Sequence, residues 1–121
     1  MLKYAPLKNP LILALDLDDE AKAWEMVEQT AGIVGGIKIG PRLMLRYGSP
    51  FLKKVAAQSP VFLDMKFFDI PSTMVSAVRS AFDIGASLVT VHAQAGIEAL
   101  TQLAKLEEEY LKTGNVKVLS V

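Results

Sequence analysis

The stretch V-F-L-D-M-K-F-F-D-I-P-S-T, residues 61–73, decides the fold of this chain. It begins as an apolar run, typical of a buried strand, and ends in a Pro-Ser-Thr triplet that predicts a turn and the start of a helix. Asp64, Lys66 and Asp69 interrupt the run. Because side chains alternate between the faces of a strand, we expect Asp64 and Lys66 on the same face as Phe62. A buried ion pair destabilises a strand unless it is compensated, so the pair indicates a functional role.

The composition bounds the kind of protein. The chain has 121 residues, 51% of them hydrophobic, and 13 basic residues balance 13 acidic ones. This length is enough for one domain with a sizeable core, and the charge balance gives no reason to expect nucleic acid or an anionic membrane as a partner. The sequence contains no Cys, which excludes disulfides and thiolate metal sites. With no signal-peptide pattern and no apolar run near the about 18 residues of a membrane span, we expect a cytoplasmic protein.

Four further segments have the character of buried strands, and helical patterns separate them. The predicted strands are residues 11–15, 35–39, 61–66, 88–92 and 116–121. The predicted helices are residues 19–31, 50–58 after a short helical turn that follows Gly40-Pro41, 72–84 and 97–112. The continuous apolar run at residues 11–15 predicts a first strand buried on both faces, and Gly85 is placed to end the third helix.

The spacing of these segments predicts an α/β fold. Successive predicted strands begin 24 to 28 residues apart, which is a strand–helix repeat of nearly fixed length. Such a repeat indicates right-handed crossovers and a parallel sheet. Two architectures fit: an open doubly wound sheet of five strands, or a (β/α)₈ TIM barrel, of which this chain would supply the first four βα units and strand five.

Polar residues gather at the predicted carboxyl ends of the strands, where both architectures bind ligands. They are Asp16, Lys38, Asp64, Lys66, Asp69 and His92. Each also has a purely structural interpretation. A carboxylate can cap the next helix, as Asp18 and Asp19 also can; a lysine can protect an edge strand or form a structural ion pair; and a histidine can pack in the core. The convergence of so many charges favours a functional site.

Lysines that alternate with carboxylates suit chemistry on an anionic substrate. A protein carboxylate beside a substrate carboxylate disfavours the ground state through like-charge repulsion and desolvation. A neighbouring ammonium group can then stabilise a developing carbanion and donate a proton to it. The pattern therefore favours decarboxylation, with Lys66 as the general acid.

The segment D-M-K-F-F-D-I-P, residues 64–71, resembles the D-x-K-x-x-D-I-P signature of the orotidine 5′-phosphate decarboxylase family. Residues 14–16, 37–40 and 88–93 are similar to that family's first, second and fourth strands. The resemblance runs from residue 11 to residue 121 and covers about the first half of a family member. It implies that residues 1–121 are the N-terminal part of a single TIM-barrel domain.

The resemblance also implies roles for individual residues. Lys66 would protonate C6 of the pyrimidine after carbon dioxide leaves, and Asp64 would lie against the departing carboxylate. Lys38 and Asp69 would complete a hydrogen-bonded Lys-Asp-Lys-Asp array, and Asp16 would hold the ribose or the array. The family uses no metal or organic cofactor, and its product is uridine 5′-phosphate of de novo pyrimidine synthesis.

The same resemblance implies a homodimer with shared active sites. In the family the counterpart of Asp69 is contributed across the dimer interface, with the counterparts of Ile70 and Thr73 nearby. The family's phosphate grip and pyrimidine-edge contacts belong to later strands and loops. We therefore expect the 121-residue chain alone not to decarboxylate the nucleotide.

Three other interpretations remain open from the sequence. The first is a magnesium-dependent sugar-phosphate decarboxylase or synthase of the same superfamily, which Ile70-Pro71 disfavours. The second is a phospho-accepting receiver-like signalling domain using Asp18, Asp19, Asp64 and Thr90, in which the lysines would have no role. The third is a non-catalytic remnant with a structural or interaction role.

Overall fold

A computed structural model describes residues 4–121 as one five-stranded parallel sheet connected by helices. The strands are β1 (Ile12–Ala14), β2 (Gly36–Ile39), β3 (Val61–Phe67), β4 (Ala86–Val91) and β5 (Lys117–Ser120). The helices are α1 (Glu20–Thr30), α2 (Pro41–Ala56), α3 (Pro71–Asp83) and α4 (Ile97–Leu111), and a short 3₁₀ turn, Ala93–Ala95, precedes α4. Each predicted element is present, with bounds that differ by a few residues except in α2.

The strand order distinguishes the two architectures that the strand–helix repeat left open. The five strands lie side by side in the order β1-β2-β3-β4-β5. A doubly wound sheet reverses its strand order near the first strand, whereas a (β/α)₈ barrel keeps the sequential order. The prediction of the first four βα units and strand five of a TIM-barrel fold is therefore confirmed.

The core lies between the sheet and the layer of helices. Alternate strand residues such as Ile37, Ile39 and Val61 are fully buried there, and helix residues such as Val27 and Met74 meet them. Burying one such aliphatic side chain contributes about 1.5–3 kcal/mol relative to leaving it exposed. This packing fixes which face of each strand is apolar, and it leaves the opposite face available for polar residues.

The prediction that the first strand is buried on both faces is wrong. Leu15 is buried, but Leu11 is 61% exposed and Ile12 is 39% exposed. β1 is an edge strand that pairs only with β2 in the described sheet, and the helices cover one of its faces. The apolar sequence of β1 shows that both of its faces can be buried, but residues 4–121 cover only one of them.

The second helix has a longer first part than predicted. The short helical turn expected after Gly40-Pro41 is a full helical segment, so α2 runs from Pro41 to Ala56 with a kink at Gly48. Gly48 has φ of 63°, a conformation that glycine adopts without steric penalty, and Pro50 follows it. The sequence signals at Gly48 and Pro50 thus mark a kink between two helical segments.

The other helix ends follow their sequence signals. Asp19 is the N-cap of α1, and its side chain accepts a hydrogen bond from the Lys22 N–H. Gly85 follows the last residues of α3 with φ of 112°, as predicted for a glycine that ends a helix. Within residues 4–121, every helix is too short or too polar to cross a bilayer.

Candidate active site

The site begins where β3 stops being a regular strand. After a first irregularity between Val61 and Phe62, β3 pairs in step with β4, since Phe62 lies opposite Leu88 and Leu63 opposite Val89. The register then shifts, and Phe67 lies opposite Val91, so β3 uses more residues than β4 to cover the same distance. Such a bulge bends the strand and redirects its side chains.

Lys66 lies inside this bulge in a left-handed backbone conformation. Its φ is 49°, and it is the one non-glycine residue of the described chain with a positive φ. The prediction that Asp64 and Lys66 share one face assumed a regular pleat, and the bulge interrupts that pleat at Lys66. The Lys66 ammonium nevertheless reaches Asp64, through a bent backbone rather than a straight one.

Asp64 is the centre of the charged cluster. Its Oδ1 accepts a hydrogen bond from Lys66 Nζ at 2.8 Å, and its Oδ2 lies 3.6 Å from Lys38 Nζ. The Asp64 side chain is 13% exposed, whereas that of Lys66 is 51% exposed. The cluster thus holds a sheltered carboxylate between two ammonium groups, and it offers the Lys66 ammonium to an incoming ligand.

The electrostatics of the cluster keep Asp64 ionised. Burial raises the pKa of Asp64, but hydrogen bonds from Lys66 and Thr90 and the positive charges of Lys66 and Lys38 lower it. The lowering contributions win, and the pKa of Asp64 lies below its ordinary value. At neutral pH the carboxylate is therefore a fixed negative charge that can repel a second carboxylate.

Thr90 is a member of the cluster that the decarboxylase interpretation of the sequence missed. It lies on β4, is 2% exposed, and contacts both the Asp64 carboxylate and the Lys66 backbone. Its signal in the sequence was a lone hydroxyl in the apolar segment L-V-T-V at residues 88–91. That signal becomes specific only when the pairing of β3 with β4 is known.

Asp16 lies at the carboxyl end of β1 but outside the cluster. Its side chain is exposed, and its backbone carbonyl accepts a hydrogen bond from Arg42 at 3.0 Å. The neighbouring Asp18 carboxylate pairs with Arg42 and Arg46 at 3.5 and 3.9 Å. The capping alternative for Asp16 does not apply, because Asp19 caps α1.

The loop between β3 and α3 carries the other predicted residues. Asp69 accepts a hydrogen bond from the Ile70 N–H at 2.7 Å, and no ion pair to Asp69 is present within residues 4–121. Ile70 is 63% exposed, and Thr73 is exposed in the first turn of α3. Asp69, Ile70 and Thr73 therefore face outward, and the single chain does not bring them to Asp64.

His92 borders the same loop. Its ring packs at 5.1 Å from the ring of Phe68, and its backbone N–H donates to the Phe67 carbonyl. The side chain is half-buried, which is closer to the packing interpretation than to a free ligand. In the described part of the chain, no group of three or more His, Asp or Glu side chains is arranged to hold a metal ion.

Comparison with known proteins gives a consistent result. The profile of the orotidine 5′-phosphate decarboxylase / HUMPS family matches residues 9–121. The orotidine 5′-phosphate decarboxylase of Mannheimia succiniciproducens is 34% identical over 113 residues, which are 93% of this chain and 48% of that protein. The enzyme of the same name from Haemophilus influenzae is 36% identical over 107 residues, which are 88% of this chain and 46% of that protein.

Solved structures agree in fold and sequence. Orotidine 5′-monophosphate decarboxylase from Methanocaldococcus jannaschii superimposes with a TM-score of 0.81 at 28% identity, covering 91% of this chain and 52% of that one. The same enzyme complexed with an inhibitor gives a TM-score of 0.79. The chain spans about half the length of the curated relatives it matches. It belongs to the orotidine 5′-phosphate decarboxylase / HUMPS family.

Proposed function

We propose that this chain carries the proton-donating part of an active site that converts orotidine 5′-phosphate into uridine 5′-phosphate and carbon dioxide. The observation that carries the proposal is the Asp64 carboxylate held between the ammonium groups of Lys66 and Lys38, within the D-x-K-x-x-D-I-P segment. The curated relatives are named for this reaction. The substrate is anionic, and an excess of ammonium over carboxylate groups suits it.

In the proposed reaction the substrate carboxylate lies against Asp64. Repulsion between the two carboxylates raises the energy of the ground state and falls as carbon dioxide departs. The bond from C6 to the carboxylate breaks, and its electron pair remains on C6. The Lys66 ammonium stabilises this charge and transfers a proton to C6, and water later reprotonates the Lys66 amine. The Lys38 ammonium holds the Asp64 carboxylate in place through Asp64 Oδ2.

The remaining site residues act at the border of this cluster. We propose that Asp16 contacts the ribose or the cluster, and that Asp69, Ile70 and Thr73 serve the site of a second subunit in a homodimer. Their support is their exposure, since a side chain that faces outward is free to reach a neighbour. The proposed cellular compartment is the cytoplasm, in keeping with a role in pyrimidine synthesis.

The other interpretations have less support. A receiver-like domain needs the doubly wound architecture, and the sequential strand order contradicts it. A magnesium-dependent sugar-phosphate enzyme is disfavoured by the names of the curated relatives. An assay with a chelator distinguishes the two enzymatic interpretations, because the proposed reaction has no step that needs a metal.

A chimera tests the proposal. Residues 9–121 are joined to the second half of the Haemophilus influenzae relative, and carbon dioxide release from orotidine 5′-phosphate is measured with a chelator present. We expect turnover that is lost in the Lys66→Ala chimera. A version of the relative cut and rejoined at the same place controls for the junction. An active control with an inactive wild-type chimera would contradict the proposal.

The 121-residue chain alone is assayed in parallel. We expect no turnover, because in the family the phosphate grip lies in the half of the relatives that this chain does not match. Turnover near that of a whole barrel would overturn this prediction without affecting the assignment of Lys66.

A further inference from the structure

The Thr90 hydroxyl occupies a position that the proposed reaction does not use. Thr90 and Ser59 are the buried polar residues among those described, and Thr90 lies directly beside the charged cluster. Its Oγ1 is 2.9 Å from Asp64 Oδ1 and 3.0 Å from the backbone nitrogen of Lys66. One hydroxyl therefore contacts the side chain of one proposed site residue and the backbone of the other.

The chemistry of the partners fixes the direction of both hydrogen bonds. A backbone N–H can only donate, so the Thr90 hydroxyl accepts from Lys66. An ionised carboxylate can only accept, so the single hydroxyl proton is donated to Asp64. The hydroxyl has one proton, and both of its contacts are consistent with that single donor. Valine at this position would have the same shape and could make neither bond.

The bulge explains why such a group is needed. A left-handed conformation is sterically unfavourable for a lysine, so the surrounding structure must hold it. The register shift takes the Lys66 N–H out of the regular ladder, and Thr90 supplies the acceptor in its place. The same hydroxyl fixes the Asp64 oxygen that also receives the Lys66 ammonium. The Thr90 hydroxyl thus positions the Lys66 backbone directly and the Lys66 ammonium through Asp64.

We propose that Thr90 is a positioning residue of this site, which orients the Asp64 carboxylate and holds the Lys66 backbone in its bulged conformation. The geometric part of the proposal stands on the contacts alone. Its consequence for catalysis rests on the proposed function. The proposal gives Thr90 no role at the reacting atoms, because its one proton is donated to Asp64.

The test compares Thr90→Val, which loses both hydrogen bonds, with Thr90→Ser, which keeps them. The pKa of Asp64 is followed in the 121-residue chain by ¹³C NMR of its side-chain carboxyl group, and the Lys66 amide is followed by hydrogen exchange. We expect Thr90→Val to raise the pKa of Asp64, because a donor to the charged form is gone while Lys38 and Lys66 remain. We also expect faster hydrogen exchange of the Lys66 amide. In Thr90→Ser we expect the Asp64 pKa and the Lys66 exchange rate to stay near their wild-type values.

Ser59→Ala is the matched control, since it removes the other buried hydroxyl and is expected to change neither signal. If Thr90→Val does not fold, Thr90→Cys decides, because a thiol is a weaker donor of similar size and the pKa of Asp64 then lies above the wild-type value. A folded Thr90→Val or Thr90→Cys protein in which either the Asp64 pKa or the Lys66 amide exchange is unchanged overturns the proposal.

The catalytic consequence is measured separately in the decarboxylating chimera. We expect Thr90→Val to lower kcat by about 10- to 100-fold with KM little changed, as for a misplaced catalytic group, and Thr90→Ser to recover most of the rate. An inactive wild-type chimera contradicts the proposed function and leaves the NMR test in force. An active chimera whose kcat ignores Thr90→Val overturns the positioning role.

Discussion

The two halves of β3 are built for different purposes. In the first half, Val61 and Leu63 are 0% and 2% exposed, and the strand is in step with Ile37 and Ile39 of β2. In the second half β3 bulges against β4, with four residue steps from Leu63 to Phe67 against two from Val89 to Val91, and the Lys66 side chain is 51% exposed. The first half of the strand therefore packs in the core, whereas the bulged second half positions charged side chains. Substitutions in the two halves should therefore affect different properties.

Truncation in the buried half is expected to have the largest effect on stability. Leu63→Ala removes a side chain that is 2% exposed and leaves a cavity against the helices. We expect the free energy of unfolding to fall by about 2–5 kcal/mol in urea titrations. Leu45→Ala, at a leucine that is 84% exposed, is the control and should stay within about 0.5 kcal/mol of the wild type. Equal losses at both positions would contradict the described core.

A smaller and pH-dependent effect is expected at Asp64. Because the pKa of Asp64 is lowered in the folded state, ionisation of this carboxyl favours folding. Its contribution is fully present above the pKa of the unfolded chain, about 3.9, and is lost as the pH falls through the lower folded value. Unfolding of the wild type and of Asp64→Asn between pH 7 and pH 3 measures this. A stability gap that widens as the pH falls would contradict the ion cluster.

The smallest predicted effect reports the backbone of the bulged half. Lys66→Gly and Lys66→Ala both lack the ammonium group, but only glycine adopts φ of 49° without steric penalty. We expect the glycine variant to be more stable by about 1 kcal/mol. At Lys53, inside α2, the same pair should reverse its order by about 1 kcal/mol, because glycine weakens a helix. The same order at both positions would argue against the left-handed Lys66.

The sequence predicted the regular helices and strands better than it predicted the bulged half of β3. The strand–helix repeat was sufficient for a parallel α/β sheet, because its length is a local property of the chain. It could not choose between a barrel and a doubly wound sheet, since both use the same repeat and differ only in strand order. It also predicted β1 as buried on both faces, because an apolar run does not report what covers it.

At the site, the residue types were visible but their connections were not. Asp64, Lys66 and Lys38 were predicted from charges at strand ends, and the structure brings these three together. Thr90 was missed as a partner because its contact depends on the register between β3 and β4, which shifts at the bulge. The conformation of Lys66 was hidden for the same reason, since nothing in the run F-L-D-M-K-F marks a break in alternation.

The most direct measurement is the rate of carbon dioxide release at saturating orotidine 5′-phosphate by the chimera and two β3 variants, at a temperature where all three are folded. We expect Leu63→Ala to keep a rate within a few-fold of the wild type, because Leu63 contributes to burial and not to chemistry. We expect Lys66→Ala to lose about 10²- to 10⁴-fold, the usual contribution of a general acid. Retention of the rate in Lys66→Ala, or equal losses in both variants, would contradict this division of β3.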